Sequence, residues 1–285
     1  MIWLQATRPK TLLASVAPVI VGSALGASAA GQWLWLPSLA CLVGALLIQI
    51  GTNFANDAFD GLHGADGPQR HGPQRAVASG QITARSMLWA TGAVLLLALI
   101  PGIYLAAIAG WPLLVLGIIS LICAIAYTGG PFPLAYHGLG DLFVWVFFGF
   151  FAVLGSAWVQ APELASWPLA WWWYASAIGL QASVIIAVNN HRDRQGDHAV
   201  GKRTLAVRLG TRKHLAYIAA LHLGAWICLG LGSGWSWPLL VFYGLGGAGH
   251  WLFVASREGR ALNPGLGLAA ILELVTAICI ASWYA

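Results

Sequence analysis

Apolar runs of about 20 residues follow one another along almost the whole chain, broken by a few short polar segments. A helix rises ~1.5 Å per residue, so a run of that length crosses a hydrocarbon core of ~30 Å. Lipid offers no hydrogen bonds to an exposed backbone, which leaves a helical bundle as the way to satisfy every peptide group. The runs fall near 11–30, 36–56, 86–108, 111–127, 141–160, 168–188, 213–231, 235–255 and 263–284. They predict an all-α, polytopic membrane protein of about nine transmembrane helices, with one domain over 1–285. Charged residues make up 8% of the 285, against about 25% in soluble chains. The first run follows Arg8-Pro9-Lys10 and ends near Ala27-Ser28-Ala29, as a secretory leader would. Its length fits a retained span better.

A formal charge of +5 could point to nucleic acid, but the basic residues sit in a few loops between apolar runs. Membrane topology and an anionic ligand explain them better. With nine spans and the N-terminus inside, all 14 Lys and Arg residues fall on one side, and the opposite turns hold none. The positive-inside rule then makes that side cytoplasmic, in a plasma (inner) membrane. Trp33, Trp35, Trp111, Trp167, Trp235 and Trp237 lie near the other boundary, as an aromatic belt would. The four cysteines all lie inside apolar runs without a CxxC pair and read as small buried hydrophobes.

Two polar clusters stand at the ends of apolar runs: Asn53–Asp60 and Asn189–Asp197. Residues three, four, seven or eight apart share a helical face. Asn53, Asn56, Asp57 and Asp60 thus form one stripe, and Asn189, Asp193 and Asp197 another. Each stripe alone could be a helix cap running into a solvated loop. Two of them, each followed by a basic loop, make a weak internal repeat, with halves of about 1–135 and 136–285 facing each other across a cavity. Carboxylates are hard oxygen ligands for Mg²⁺, and such ions travel with phosphate oxygens. Arginine and lysine residues of the adjoining loops would neutralise the remaining phosphate charge. That combination turns a diphosphate into a good leaving group and lets an allylic diphosphate ionise.

Between the halves, Tyr127–Asp141 is rich in Gly and Pro and is a loop. It is either a plain connector or a lid whose Tyr127 and Tyr136 rings face a cation. His222 and His250 read as satisfied helix residues, and no histidine has zinc-like spacing. No phosphate-cradling GxxxxGK[ST] loop and no Ser-His-Asp pattern is present.

Four segments carry a resemblance: Arg8-Pro9-Lys10-Thr11; Asn53–Asp60 with Gly64-Ala65-Asp66; the Tyr127–Asp141 loop; and Asn190–Gly210 with its Gly201-Lys202-Arg203-Thr204-Leu205 core. With these the chain resembles the UbiA superfamily of membrane prenyltransferases, and within it the branch that prenylates 1,4-dihydroxy-2-naphthoate in menaquinone synthesis. The resemblance implies nine helices around a central cavity and Mg²⁺ at Asp57, Asp60, Asp193 and Asp197. It also implies a diphosphate-binding arginine at Arg75, with further diphosphate contacts from Lys202 and Arg203. Substrate contacts extend to Asn56, Asp66 and Tyr127, and Asn53 and Asn189 orient the ligands. Arg8 or Lys10 would pair with the acceptor carboxylate. One departure is Gly61, where much of the superfamily has a further acid; Asp60 stands one residue earlier. The partners implied are a polyprenyl diphosphate, the naphthoate and the bilayer. Another aromatic acceptor remains open as an alternative. So does a transporter, although acids gathered at one face argue against it.

Overall fold

A computed structural model describes residues 2–64 and 71–284, apart from the side chain of Lys10. Asp66 therefore lies outside the described residues. The helices are α1 (Ile2–Ala6), α2 (Pro9–Ala30), α3 (Trp35–Leu62), α4 (Ala84–Ala109) and α5 (Trp111–Ala126). They continue with α6 (Gly140–Val144), a π-helical stretch Trp145–Leu154, α7 (Gly155–Gln160), α8 (Leu169–Ala199), α9 (Leu205–Ser233), α10 (Trp237–Ala255) and α11 (Asn263–Tyr284). Among the described residues there is no strand.

Among the described residues, eight helical segments are long and apolar enough to span a membrane. The ninth expected span, α5, has 16 residues, or about 24 Å at 1.5 Å each. The nine apolar runs are all present as helices, one of them short of a full crossing. Two helices run further than hydropathy indicates. α3 carries on through the first polar cluster to Leu62, and α8 carries on through the second to Ala199. Each cluster therefore sits on rigid helix. α9 begins at Leu205, but Gly210 (φ 70°, ψ 177°) breaks it and sets the loop-side turn apart from the long span. A side chain there would be strained, which is what the glycine avoids.

Close backbone approach holds the centre together. A Cβ on Gly22 would stand 2.1 Å from the Val153 carbonyl oxygen, and one on Gly26 would stand 2.3 Å from that of Ala157. This GxxxG face lets α2 lie directly on the π-stretch and α7, as small-residue faces do in lipid. Gly149 and Gly179 do the same between the π-stretch and α8. Around these seams Val21, Leu25, Val153, Tyr174, Ile178 and Leu229 form the main core. The outer surface keeps large apolar side chains exposed, among them Trp35, Trp111 and Trp237 at 73%, 73% and 74%. Those are boundary positions for an aromatic belt. His222 bonds Tyr243 and His250, and His250 bonds the Gly265 carbonyl, each at 3.0 Å, so both are satisfied as expected.

Candidate active site

The ends of α3 and α8, the turn after residue 71, the Tyr127–Asp141 loop and the start of α2 meet around a polar pocket of about 40 Å³. Its wall includes Asn56, Asp60, Arg75, Asn189, Asp193 and Asp197, with Lys202, Arg8 and Tyr127 beside them. A second cavity, of about 340 Å³, runs between α2, α3, α4, α5, the π-stretch and α8. Arg8, Asn56, Tyr127, Ile186 and Asn189 line both, so a charged head site adjoins an apolar gallery across one shared wall.

Each acid is held by specific partners. Asp57 lies on α3 at 1% exposure. Its Oδ2 accepts from the Ala76 N–H at 3.1 Å and its Oδ1 from the Val77 N–H at 3.0 Å. It thereby grips the turn that begins at Arg75. Asp60 accepts from the Tyr136 hydroxyl at 3.0 Å and pairs with Lys202 at 3.5 Å. The Lys202 ammonium also sits over the Tyr136 ring, 5.1 Å from its centre. Asn53 donates to the Thr7 carbonyl at 2.9 Å and anchors the α1–α2 corner. Asn56 accepts from the Thr128 hydroxyl at 2.7 Å and ties α3 to the central loop.

The second cluster is organised by a residue that spacing did not single out. Arg192 donates twice to Asp193, from Nε at 2.8 Å and from Nη2 at 2.6 Å. Nη2 also donates to Asn189 and Nη1 to Asn263 of α11, each at 2.9 Å. Asn263 in turn donates to the His71 carbonyl at 3.2 Å. One guanidinium fork thus orients two site residues and links α8, α11 and the loop after α3. Among the basic residues of its loop nothing in the pattern set Arg192 apart, since spacing does not tell which neighbour a guanidinium folds onto.

Arg75 enters the pocket from the turn after α3. Burial lowers its pKa, and Asp60, Asp57 and Asp193 raise it again. A guanidinium starts so far above neutrality that it stays charged. Burial raises the pKa of Tyr127 and of Tyr136, with Asp141 adding to the effect at Tyr127 and Asp60 at Tyr136. Both hydroxyls are neutral donors. Arg8 takes a left-handed backbone (φ 54°, ψ 66°) as it opens α2. Non-glycine residues are rare in that region, and here the strained corner belongs to a residue that lines both cavities.

Not every expected residue faces the pocket. Asn53 lines the apolar gallery and Asp57 lies behind the Arg75 turn. Arg203 is exposed and outside the pocket wall, with its N–H bonded to the Tyr136 carbonyl at 2.9 Å. A phenylalanine-rich stretch running from α6 into the π-helix lines the gallery through Phe143, Phe147, Phe148 and Phe151. Gly149, within that stretch, turns away from the gallery. A Cβ there would meet the Ala175 carbonyl oxygen of α8 at 2.5 Å.

Residues 15–273 match the UbiA prenyltransferase family. The chain belongs to that family. It is 41% identical over 251 residues to the 1,4-dihydroxy-2-naphthoate octaprenyltransferase of Escherichia coli K12, covering 84% of this chain and 80% of that one. It is 37% identical over 286 residues to the protein of the same name from Mycobacterium tuberculosis H37Rv, covering 98% and 95%. Among solved structures it is similar to a UbiA homolog from Archaeoglobus fulgidus bound to DMAPP and Mg²⁺. That match has a TM-score of 0.66 and 17% identity, with 99% of each chain covered. A UbiA homolog from Aeropyrum pernix K1 matches with a TM-score of 0.67 and 19% identity over 94% and 97%. At those identities the structures establish the shared fold.

Proposed function

We propose that this UbiA-family enzyme transfers a polyprenyl group from its diphosphate to 1,4-dihydroxy-2-naphthoate. Diphosphate and CO₂ leave, giving demethylmenaquinol, the reduced form of demethylmenaquinone. The observation that carries the reading is the shared wall between the acid- and cation-lined pocket and the apolar gallery. A polyprenyl diphosphate has the same two parts, a highly charged head and a long apolar tail. The names of the bacterial relatives supply the acceptor.

The donor set suits Mg²⁺. Carboxylate and carboxamide oxygens dominate, each carboxylate keeps lone pairs beyond those its present partners use, and such oxygens are this ion's ligands. Among the described residues no three Asp, Glu, His or Cys side chains form a ready-made cage. Mg²⁺ sites completed by substrate phosphates share that feature. Asp60, Asp193 and Asp197 would hold the ion, with Asn189 beside them, while Asp57 acts from behind the pocket by fixing the Arg75 turn and Asn53 by anchoring the α1–α2 corner. When bound, the ion offsets charge on the departing oxygens.

Arg75 and Lys202 bind the diphosphate head, and Arg203 steadies the Lys202 loop through its backbone. As the bond to the prenyl carbon breaks, the electron pair leaves with the diphosphate. Tyr127, on the shared wall, presents its ring where the allylic cation forms. The gallery keeps water from that cation. The acceptor ring then attacks, and loss of CO₂ restores its aromaticity. Arg8 or Lys10, two residues further on, pairs with the acceptor carboxylate. The chemistry takes place at the cytoplasmic end of a plasma-membrane protein. Purified enzyme with the naphthoate, Mg²⁺ and a series of prenyl diphosphates tests the proposal; absence of product at every chain length overturns it.

A further inference from the structure

Asp141 opens α6 and lines the polar pocket, yet none of the roles above uses it. It is 3% exposed. The Tyr217 hydroxyl, reaching in from α9, hydrogen-bonds its carboxyl group. Ser183 of α8 donates to its backbone carbonyl at 3.2 Å. Its Oδ1 is buried with no hydrogen-bond partner. Native structures seldom leave such an atom unmatched, and one that lines a cavity is matched by what the cavity binds. The ionised diphosphate head offers acceptors and repels a carboxylate. The dihydroxynaphthoate offers two O–H donors.

We infer that Asp141 recognises the acceptor ring: one ring hydroxyl donates to Oδ1, and Tyr217 fixes the carboxyl from behind. The inference rests on the reaction proposed above. A hydroxyl held this way is oriented for attack. As the ring gives up electron density to the prenyl cation, positive charge grows on the hydroxyl oxygen, and the adjacent carboxylate stabilises it. Tyr217 is then a positioning residue, and Asp141 touches substrate.

The test compares wild type, Asp141→Asn and Tyr217→Phe with three acceptors: the dihydroxynaphthoate and the two monohydroxy-2-naphthoates that lack one hydroxyl each. Binding of an unreactive prenyl thiodiphosphate with Mg²⁺ is measured alongside and reports an intact fold. Asp141→Asn should raise the acceptor KM about 10- to 100-fold, the worth of a charged hydrogen bond. It should also erase most of the preference over one monohydroxy acceptor, while donor binding and Mg²⁺ requirement stay within about twofold. Tyr217→Phe should move the same quantities the same way, less far. Weakened donor binding, a shifted Mg²⁺ requirement or an unchanged hydroxyl preference would overturn the inference. Donor binding without turnover in the wild-type enzyme would sink the reaction itself and this inference with it. Turnover with unchanged discrimination would sink only the role of Asp141.

Discussion

Asp57 shows how a carboxylate can matter without facing the pocket. Both of its oxygens accept backbone N–H groups of the turn that starts at Arg75. Asparagine has one acceptor oxygen to give, so Asp57→Asn leaves one of those N–H groups unmatched at a cost of about 1–3 kcal/mol. The protein should still insert, turnover should fall at least about tenfold, and KM for the prenyl diphosphate should rise as the Arg75 turn loosens. Steady-state kinetics on both substrates checks this, and an unchanged donor KM refutes it. Arg192→Lys should be as damaging despite keeping its charge, since an ammonium cannot hold Asp193 bidentately while also reaching Asn189 and Asn263. We expect a loss of about tenfold or more in kcat/KM with normal insertion; near-wild-type activity would mean the fork is dispensable. The acids themselves were legible, because polar residues at helical spacing beside long apolar runs stand out. Arg192 was not, since spacing does not tell which neighbours a guanidinium folds onto, and Asp141 and the hold on Asp57 were not, since they depend on partners from other elements.

Helix existence could be read from apolar length, but helix faces could not. A span that is apolar all round carries little periodicity to say which side meets protein and which meets lipid. The continuation of α3 and α8 through their polar ends was legible from the helical spacing of the two stripes, although hydropathy falls there while the backbone stays helical. The π-stretch illustrates the point about faces. Phe147 and Phe151 look into the gallery, whereas Gly149 packs on α8. Gly149→Leu should therefore destabilise the fold by about 1–3 kcal/mol or more and depress activity equally for short and long donors. Gly117 on α5 is the better place to shorten the gallery, because it lines the cavity and a Cβ there would meet nothing within 4 Å. Gly117→Phe should keep turnover of a short donor such as geranyl diphosphate and slow long ones severalfold. Thermal stability and chain-length profiles of the two variants separate these outcomes, and a uniform loss in Gly117→Phe would remove α5 from the tail path.

At the scale of the whole molecule, the distribution of charge predicts which way the protein sits in its membrane. In a background lacking Cys41, Cys123, Cys228 and Cys279, a cysteine placed at exposed Lys213 should react with an impermeant thiol reagent only from the cytoplasmic side. One placed at exposed Gln32 should react only from the opposite side. The reverse pattern would invert the topology and move the acids to the outer face. The two cavities meet at Arg8, Asn56, Tyr127, Ile186 and Asn189 and are otherwise walled by different residues. Substitutions along α4 and α5 can therefore lengthen or shorten the tail compartment without disturbing the acids and cations that handle the head. Donor length is then a property that can drift or be engineered by itself, while the bond-making chemistry stays in place.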